Sequence, residues 1–219
     1  MKNDGGHKLQ GLYAIVDAGV SLQLSLPQLA LDYLKGGVKL IQLRDKKRKS
    51  SPEAYQKFCE TAFQIKQFKK DFPFQFILND DLEMALEAGA DGIHIGKDDI
   101  SIEECRQKLG PQKIIGYSSH SLEEALEAES RGADIVAFGA IFPTTTKGPG
   151  HPVQGTEKLK KVVESLCVPV VAIGGIGRDN IKEVLSTGVA LVAMISALAY
   201  PASGNRIEEA RWFCDQMKT

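Results

Sequence analysis

The second apolar run of the chain reads Val38-Lys39-Leu40-Ile41-Gln42-Leu43 and leads directly into Arg44-Asp45-Lys46. Side chains of a β-strand alternate between its two faces, so Gln42, Arg44 and Lys46 are predicted to share one face. Polar and charged groups at the end of a buried strand are not core residues, and they need an anion or a polar ligand opposite them. A solvated strand end with ordinary surface charges is the alternative.

Seven further apolar runs surround this one, and each run precedes a segment with helical spacing. Strands are predicted at Leu12–Val16, Val38–Leu43, Phe74–Leu78, Gly92–Ile95, Lys113–Gly116, Asp134–Phe138, Val168–Ile173 and Val189–Met194. Runs that are apolar on both faces are typical of parallel strands buried under helices. Eight such units predict an α/β protein, a single-domain (β/α)8 TIM barrel formed by residues 11–219, with residues 1–10 as a flexible tail. A doubly wound open sheet is the alternative, but no GxGxxG motif follows the first strand.

Composition and charge argue against several classes of function. A formal net charge of −1 gives no support for wholesale binding of nucleic acid or membranes, and the basic cluster Lys46-Lys47-Arg48-Lys49 is local. The four cysteines lie far apart with no CxxC or Cys/His spacing, so neither a zinc site nor a disulfide framework is expected. No apolar run approaches about 18 residues, and no signal peptide is recognised. Reduced thiols in a cytoplasmic protein are the simplest interpretation.

Polar residues stand at the carboxyl ends of nearly all predicted strands, where a barrel of this type forms its active site. The polar residues are Asp17, Arg44, Lys46, Asn79, Asp80, Asp99, Ser118, His120, Thr144, Thr146, Lys147 and Ser196, and Gly174-Gly175 and Ile195 stand at the same strand ends. Their convergence on one rim argues for a site more strongly than any single member does.

The last loops of this rim fit a phosphate site. Gly174-Gly175 would let backbone N–H groups approach an oxyanion, and Ser196 adds a hydroxyl and can open a short helix. The loop from Pro143 to Gly150 is long for a barrel and carries three threonines and Lys147, which is typical of a lid that donates to phosphate oxygens. A simple tight turn and a solvated surface loop are the respective alternatives.

Asp80 and Asp99 are carboxylates at neighbouring strand ends. Magnesium uses one or two carboxylates and leaves its other positions to water and phosphate oxygens, so the pattern indicates a Mg²⁺–pyrophosphate clamp. Helix N-capping explains acidic residues before helices equally well, and periodicity does not decide between the two.

Seven ordered motifs resemble the thiamine phosphate synthase family. They are Gln42-Leu43-Arg44-Asp45-Lys46, Leu78-Asn79-Asp80-Asp81, Ala90-Asp91-Gly92-Ile93-His94-Ile95-Gly96, Gly116-Tyr117-Ser118, Phe142-Pro143-Thr144-Thr145-Thr146-Lys147, Ala172-Ile173-Gly174-Gly175-Ile176 and Met194-Ile195-Ser196. Each motif is weak alone, but the ordered set from Gly11 to Ala199 is specific. One departure is Lys97, which replaces the family's usual glutamine and either alters the metal site or points to solvent.

The resemblance implies a barrel enzyme that joins 4-amino-2-methyl-5-hydroxymethylpyrimidine pyrophosphate to 4-methyl-5-(2-phosphoethyl)thiazole, giving thiamine phosphate and pyrophosphate. It implies four groups of site residues: Gln42, Arg44, Lys46, Asn79 and Ser118 at the pyrimidine pyrophosphate, Asp80 and Asp99 at Mg²⁺, Lys147 at the pyrophosphate, and Thr144, Thr146, Gly175, Ile195 and Ser196 at the thiazole phosphate. Arg44, Lys46, Lys147 and Ser118 are then the candidate catalytic residues. Small-molecule substrates and a homodimer are further expectations from the family.

The chemistry of these residues agrees with a dissociative substitution. Cations and Mg²⁺ would stabilise the departing pyrophosphate, after which the thiazole nitrogen attacks a cationic methylene on the pyrimidine. No protein nucleophile or general base is required. Two alternatives stay open: a thiazole tautomerase of the same superfamily, in which His120 serves as acid and base, and a non-catalytic sensor of a phosphorylated ligand.

Overall fold

Eight parallel strands close into a barrel in which each strand pairs with the next and the eighth pairs with the first. The computed structural model describes residues 9–21, 23–144 and 152–218. The strands are β1 (Gly11–Asp17), β2 (Leu40–Arg44), β3 (Gln75–Asn79), β4 (Gly92–Ile95), β5 (Ile114–Ser119), β6 (Ile135–Gly139), β7 (Val170–Ile173) and β8 (Leu191–Met194). The prediction of a (β/α)8 TIM barrel is confirmed, whereas residues 1–8 of the predicted tail lie outside the described residues.

Helices follow the strands and cover the outside of the barrel. They are α1 (Leu26–Lys35), α2 (Pro52–Gln67), α3 (Leu82–Glu87), α4 (Ile102–Leu109), α5 (Leu122–Ser130), α6 (Gly155–Ser165), α7 (Ile181–Leu185), α8 (Ser196–Ala199) and α9 (Arg206–Gln216). Side chains that cap the first turn set the starts of several helices. Ser51 Oγ accepts from Ala54 N at 3.1 Å and Ser101 Oγ accepts from Glu104 N at 3.2 Å, so each serine satisfies an amide at a helix end. Among the described residues, no helix is both long and apolar enough to cross a membrane.

Alternate residues of each strand face two different apolar cores. In β2, Ile41 and Leu43 pack outward under the helices, whereas Leu40 packs into the barrel interior. Gln42 and Arg44 belong to the inner series and line a cavity at the barrel mouth. The predicted alternation is therefore confirmed for these two residues, and it explains why a buried strand can present polar groups to a site.

Seven of the eight strands differ from their predicted bounds by one to three residues, and β5 and β7 are two examples. β5 does not stop at Gly116 but continues to Ser119, so Ser118 lies on the strand itself. β7 starts at Val170 and not at Val168, because Pro169 has no N–H and the Val168 amide donates to Glu129 Oε1 at 2.7 Å. At β5 the pairing with β6 extends the strand, and at β7 a missing donor overrides the apolar pattern.

Gly92 allows the close pairing of β4 and β5, since a Cβ there would lie 2.1 Å from the carbonyl oxygen of Ile114. We expect Gly92→Ala to lower the free energy of unfolding by about 1–3 kcal/mol, because one strand must shift. Chemical denaturation would measure the loss. Gly177→Ala is the matched control, as its Cβ would meet no atom within 4 Å. Equal stability of the two variants would contradict this account of the strand contact.

Candidate active site

The floor of the barrel mouth is a buried set of polar side chains from β1 to β5. Gln42 Nε2 donates to the Tyr13 hydroxyl at 2.7 Å, and His94 Nε2 lies 3.0 Å from Ser118 Oγ. The amide nitrogen of Asn79 is buried and has no hydrogen-bond partner among the described residues. A buried amide in this state implies an acceptor that comes from elsewhere, and the Asn79 side chain lines the same cavity.

Glycine in β5 makes room for the imidazole of this floor. A Cβ at Gly116 would lie 2.4 Å from Nδ1 of His94, so any larger residue would displace the ring. The ring also lies 6.0 Å from that of Tyr13, centroid to centroid. Burial raises the pKa of the Tyr13 hydroxyl, so Tyr13 stays protonated and keeps a hydrogen to donate. His94 was missed as a site residue because an inward histidine on an apolar strand is usually a core residue.

Arg44 is held at the rim by Asp17. Its guanidinium NH1 pairs with Asp17 Oδ2, while Asp17 Oδ1 accepts from Val20 N at 3.0 Å. Asp17 is only 2% exposed, and the two residues are register partners on β1 and β2. The carboxylate therefore fixes the position of a cation that the sequence assigned to anion binding, a role for Asp17 that sequence reasoning did not assign.

Asp80 and Asp99 form the acidic part of the rim. The Lys46 ammonium pairs with Asp80 Oδ2, and Gly96 N donates to Asp99 Oδ2 at 2.8 Å. Partial desolvation and a side-chain hydrogen bond with Asp80 raise the pKa of the Asp99 carboxyl. Asp80 has φ of 56°, in the left-handed region that few non-glycine residues adopt, so its carboxylate is aimed by an unusual backbone.

Asp80 and Asp99 are the residues that would hold Mg²⁺, and the metal site stays a prediction. Two carboxylates that face each other share excess negative charge, which a divalent cation would neutralise. No group of three or more acidic, histidine or cysteine side chains suited to a metal occurs in the described part of the chain. The residue that caps a helix is a different one, Asp81, whose Oδ1 accepts from Met84 N at 3.1 Å. The N-capping alternative thus applies to Asp81.

The unusual Lys97 does not approach this acidic pair. It is exposed, and its ammonium lies 3.9 Å from Glu124 Oε1 on α5. The cation whose charge opposes the pKa rise of Asp99 is Lys46.

A second cavity of about 710 Å³ opens beside the first, under the loops that follow β6, β7 and β8. Its lining includes Thr144, Gly174, Gly175, Ile195 and Ser196, so the structure brings these predicted residues together. The short helix α8 begins at Ser196, as expected. The predicted Thr146 and Lys147 lie outside the described residues.

Both glycines of this turn are required by geometry. Gly174 has φ of 102° and a Cβ there would lie 2.5 Å from Ala140 Cβ, while Gly175 has φ of 66° and would meet the Pro143 carbonyl oxygen at 2.5 Å. Asn180 braces the turn, since its Nδ2 donates to the Gly175 carbonyl at 2.9 Å. The turn is thus tight, and it also lines a cavity large enough for a ligand, so the two interpretations of Gly174-Gly175 are compatible.

His120 lies at the rim, on an exposed turn. Its Nδ1 is 2.8 Å from the Gly139 carbonyl oxygen, which can only accept, so Nδ1 carries the proton. Its backbone N–H donates to Glu124 Oε2 at 2.8 Å.

Comparison with known proteins identifies the family. The thiamine monophosphate synthase family matches residues 12–198. The chain belongs to this family. It is 41% identical over 187 residues to thiamine-phosphate synthase of Shouchella clausii, covering 85% of this chain and 87% of the relative. It is 40% identical over 187 residues to the Clostridium acetobutylicum enzyme of the same name, covering 85% and 86%. The solved thiamine phosphate pyrophosphorylase from Pyrococcus furiosus superposes with a TM-score of 0.82 at 37% identity, covering 95% of this chain and 97% of that one.

Membership in the thiamine monophosphate synthase family makes the chain an enzyme of the transferase class that forms thiamine phosphate. The family resemblance seen in the seven motifs is confirmed, and so is the function that it implied. The assignment of individual residues to substrates and metal is not tested by these comparisons and stays a prediction.

Asp17→Asn removes the negative charge that pairs with Arg44 but keeps a side chain of nearly the same size. A lost charge-assisted contact is worth about 1.5–3 kcal/mol, so we expect a rise of at least about tenfold in KM for the pyrophosphate substrate. KM for the other substrate should change little. Steady-state kinetics with each substrate varied would measure both. Asp98→Asn, at an exposed position on the same rim, is the control, and an equal effect of the two variants would contradict a specific role for Asp17.

Proposed function

We propose that this chain joins the pyrimidine pyrophosphate and the thiazole phosphate at the mouth of the barrel, with one substrate in each of two adjoining half-sites. The observation that carries the proposal is the division of the rim. The ends of β2 to β4 gather cations and carboxylates around a buried polar floor, and the loops after β6 to β8 surround a glycine-lined cavity.

The cationic half-site suits a pyrophosphate. Arg44 and Lys46 stand at its edge, and each is already oriented by a carboxylate of a neighbouring strand. Fixed cations stabilise charge that grows on a leaving group, at no cost of reorganisation when the bond breaks. Asp80 and Asp99 would hold Mg²⁺, whose part in the chemistry is to neutralise the pyrophosphate oxygens.

The buried floor suits the pyrimidine ring. Asn79 offers an amide donor, and Gln42 and Ser118 offer further polar atoms that can pair with ring nitrogens and an exocyclic amine. Because Arg44 lines the same cavity as this floor, a ring bound here would place its methylene carbon near that cation. This placement supports roles in orientation for Gln42, Asn79 and Ser118.

The glycine-lined cavity suits the thiazole phosphate. The N–H groups of a tight glycine turn and the hydroxyls of Thr144 and Ser196 are the donors that a phosphate needs. Ile195 lines both cavities. It would therefore lie beside both substrates, at the point where the new bond forms.

Bond formation in this arrangement needs no protein base. The C–O bond to pyrophosphate breaks, the pyrimidine stabilises the cationic methylene, and the lone pair of the thiazole nitrogen forms the new C–N bond. The side chains bind, orient and stabilise charge. Roles for Thr146 and Lys147, a cytoplasmic location and a homodimer stay predictions.

Loss of the metal carboxylates tests the cationic half-site. We expect Asp80→Ala or Asp99→Ala, or chelation of Mg²⁺ from the unaltered protein, to reduce thiamine phosphate formation by about 100-fold or more while the fold is retained. Product formation from both substrates would be followed by chromatography, with circular dichroism as the check on folding. Near-normal turnover by either variant with Mg²⁺ chelated would rule out the metal-binding role.

A pair of variants separates the synthase from a thiazole tautomerase. Arg44→Ala should reduce coupling strongly, because the pyrophosphate loses a charge-assisted contact worth about 1.5–3 kcal/mol. His120→Ala should have a milder effect, since coupling needs no strong base in this scheme. Both variants would be run in the coupling assay and in a thiazole isomerisation assay. An inactive His120→Ala beside an active Arg44→Ala would favour the tautomerase.

A further inference from the structure

Arg48 is the buried member of the basic cluster Lys46-Lys47-Arg48-Lys49. Only 7% of the residue is exposed, whereas the side chains of Lys46 and Lys49 are 53% and 70% exposed. A buried arginine must be fully paired to be tolerated. Its role therefore differs from that of the lysines around it.

The guanidinium of Arg48 connects the ends of two strands through three hydrogen bonds. Its Nε donates to Asp81 Oδ2 at 2.9 Å, its NH2 to the Asp80 carbonyl at 3.1 Å and its NH1 to the Asp45 carbonyl at 2.9 Å. The group also lies 5.6 Å from the ring centroid of Phe58 on α2. One planar group thus fixes the segment after β2 relative to the segment after β3.

The two segments joined in this way carry the proposed pyrophosphate groups. Asp45 immediately precedes Lys46, and the Asp80 carbonyl that Arg48 binds belongs to the residue with the left-handed φ of 56°. The Asp80 amide is held on the other side, since it donates to the His94 carbonyl at 3.0 Å. The backbone conformation that aims the Asp80 carboxylate is therefore held at both its N–H and its C=O.

Stability alone is a weak reason for such a pair. Burying an arginine and an aspartate costs desolvation that their attraction often only offsets, and apolar residues of similar size frequently serve as well. Asp81 already has a separate use as the cap of α3. Apolar residues could not replace the two hydrogen bonds that the planar guanidinium donates to backbone carbonyls.

We propose that Arg48, held by Asp81, is a positioning residue for the site of Mg²⁺ and pyrophosphate. It sets the distance between Lys46 and Asp80 and maintains the Asp80 backbone conformation, without touching substrate. This inference rests on the proposed function of Lys46 and Asp80. Lysine could not replace Arg48, because an ammonium lacks the planar fork that reaches three acceptors at once.

The test compares Arg48→Gln with Lys49→Gln, a control that removes one positive charge beside the same carboxylate, since Lys49 Nζ lies 4.0 Å from Asp81 Oδ2. Calorimetric titration with inorganic pyrophosphate in the presence of Mg²⁺ gives a readout independent of turnover. We expect Arg48→Gln to weaken this binding and to raise KM for the pyrimidine pyrophosphate by roughly 10–100-fold. KM for the thiazole phosphate should stay within about twofold, as should all values for Lys49→Gln.

Two gentler variants cover the case in which Arg48→Gln does not fold. Arg48→Lys keeps the charge, and Asp81→Asn keeps an oxygen that can cap α3; both should still weaken binding of Mg²⁺ and pyrophosphate. Variants that lose thermal stability but bind and turn over normally would overturn the positioning role. If the unaltered protein neither bound Mg²⁺ and pyrophosphate nor formed thiamine phosphate, the proposed function would fail first and this inference with it.

Discussion

The site depends on the alternation of side chains between the two faces of each strand, with a period of two residues, in a closed barrel of eight parallel strands. Each strand sends one set of side chains into the barrel and the other under the helices, so a slip of one residue would exchange the two. In β2 such a slip would move Arg44 into the outer core and Leu43 into the mouth. The apolar outer series therefore also fixes the direction of the polar inner series.

Ion pairs between neighbouring strands organise the rim above this ring. Arg44, Lys46 and Arg48 stand at every second position from the end of β2 onward, and each pairs with a carboxylate of β1 or of the segment after β3. With Asp99 and Lys49 added, the ion pairs of this part of the rim, as far as the structure describes it, involve four acids and four bases. A pyrophosphate entering it would meet no surplus of positive charge, which supports the proposal that this half-site binds a divalent cation.

Sequence patterns predicted the barrel and most of the rim, because apolar periodicity and strand ends are local properties. They could not predict how far β5 extends beyond Gly116, since that depends on its pairing with β6, in which Ser118 and Ser119 are partners of Ala137 and Phe138. Nor could they separate Asp80 from Asp81: the two are adjacent acids before a helix, and only the fold shows that one caps α3 while the other faces Asp99. Nor could they single out Arg48 within the basic cluster, because its three acceptors are two backbone carbonyls and the carboxylate of Asp81, 33 residues away in the sequence.

The pairing of β1 with β8 has a consequence for synthesis of the chain on the ribosome. Gly11 is the register partner of Leu191, so 180 residues separate the two halves of this contact. At about 5–20 residues per second, β1 waits on the order of 10–40 s with one edge unpaired. An unpaired strand edge invites association with other chains. The nascent protein is thus most exposed to mispairing until its last strand has left the exit tunnel, and slower translation lengthens that interval.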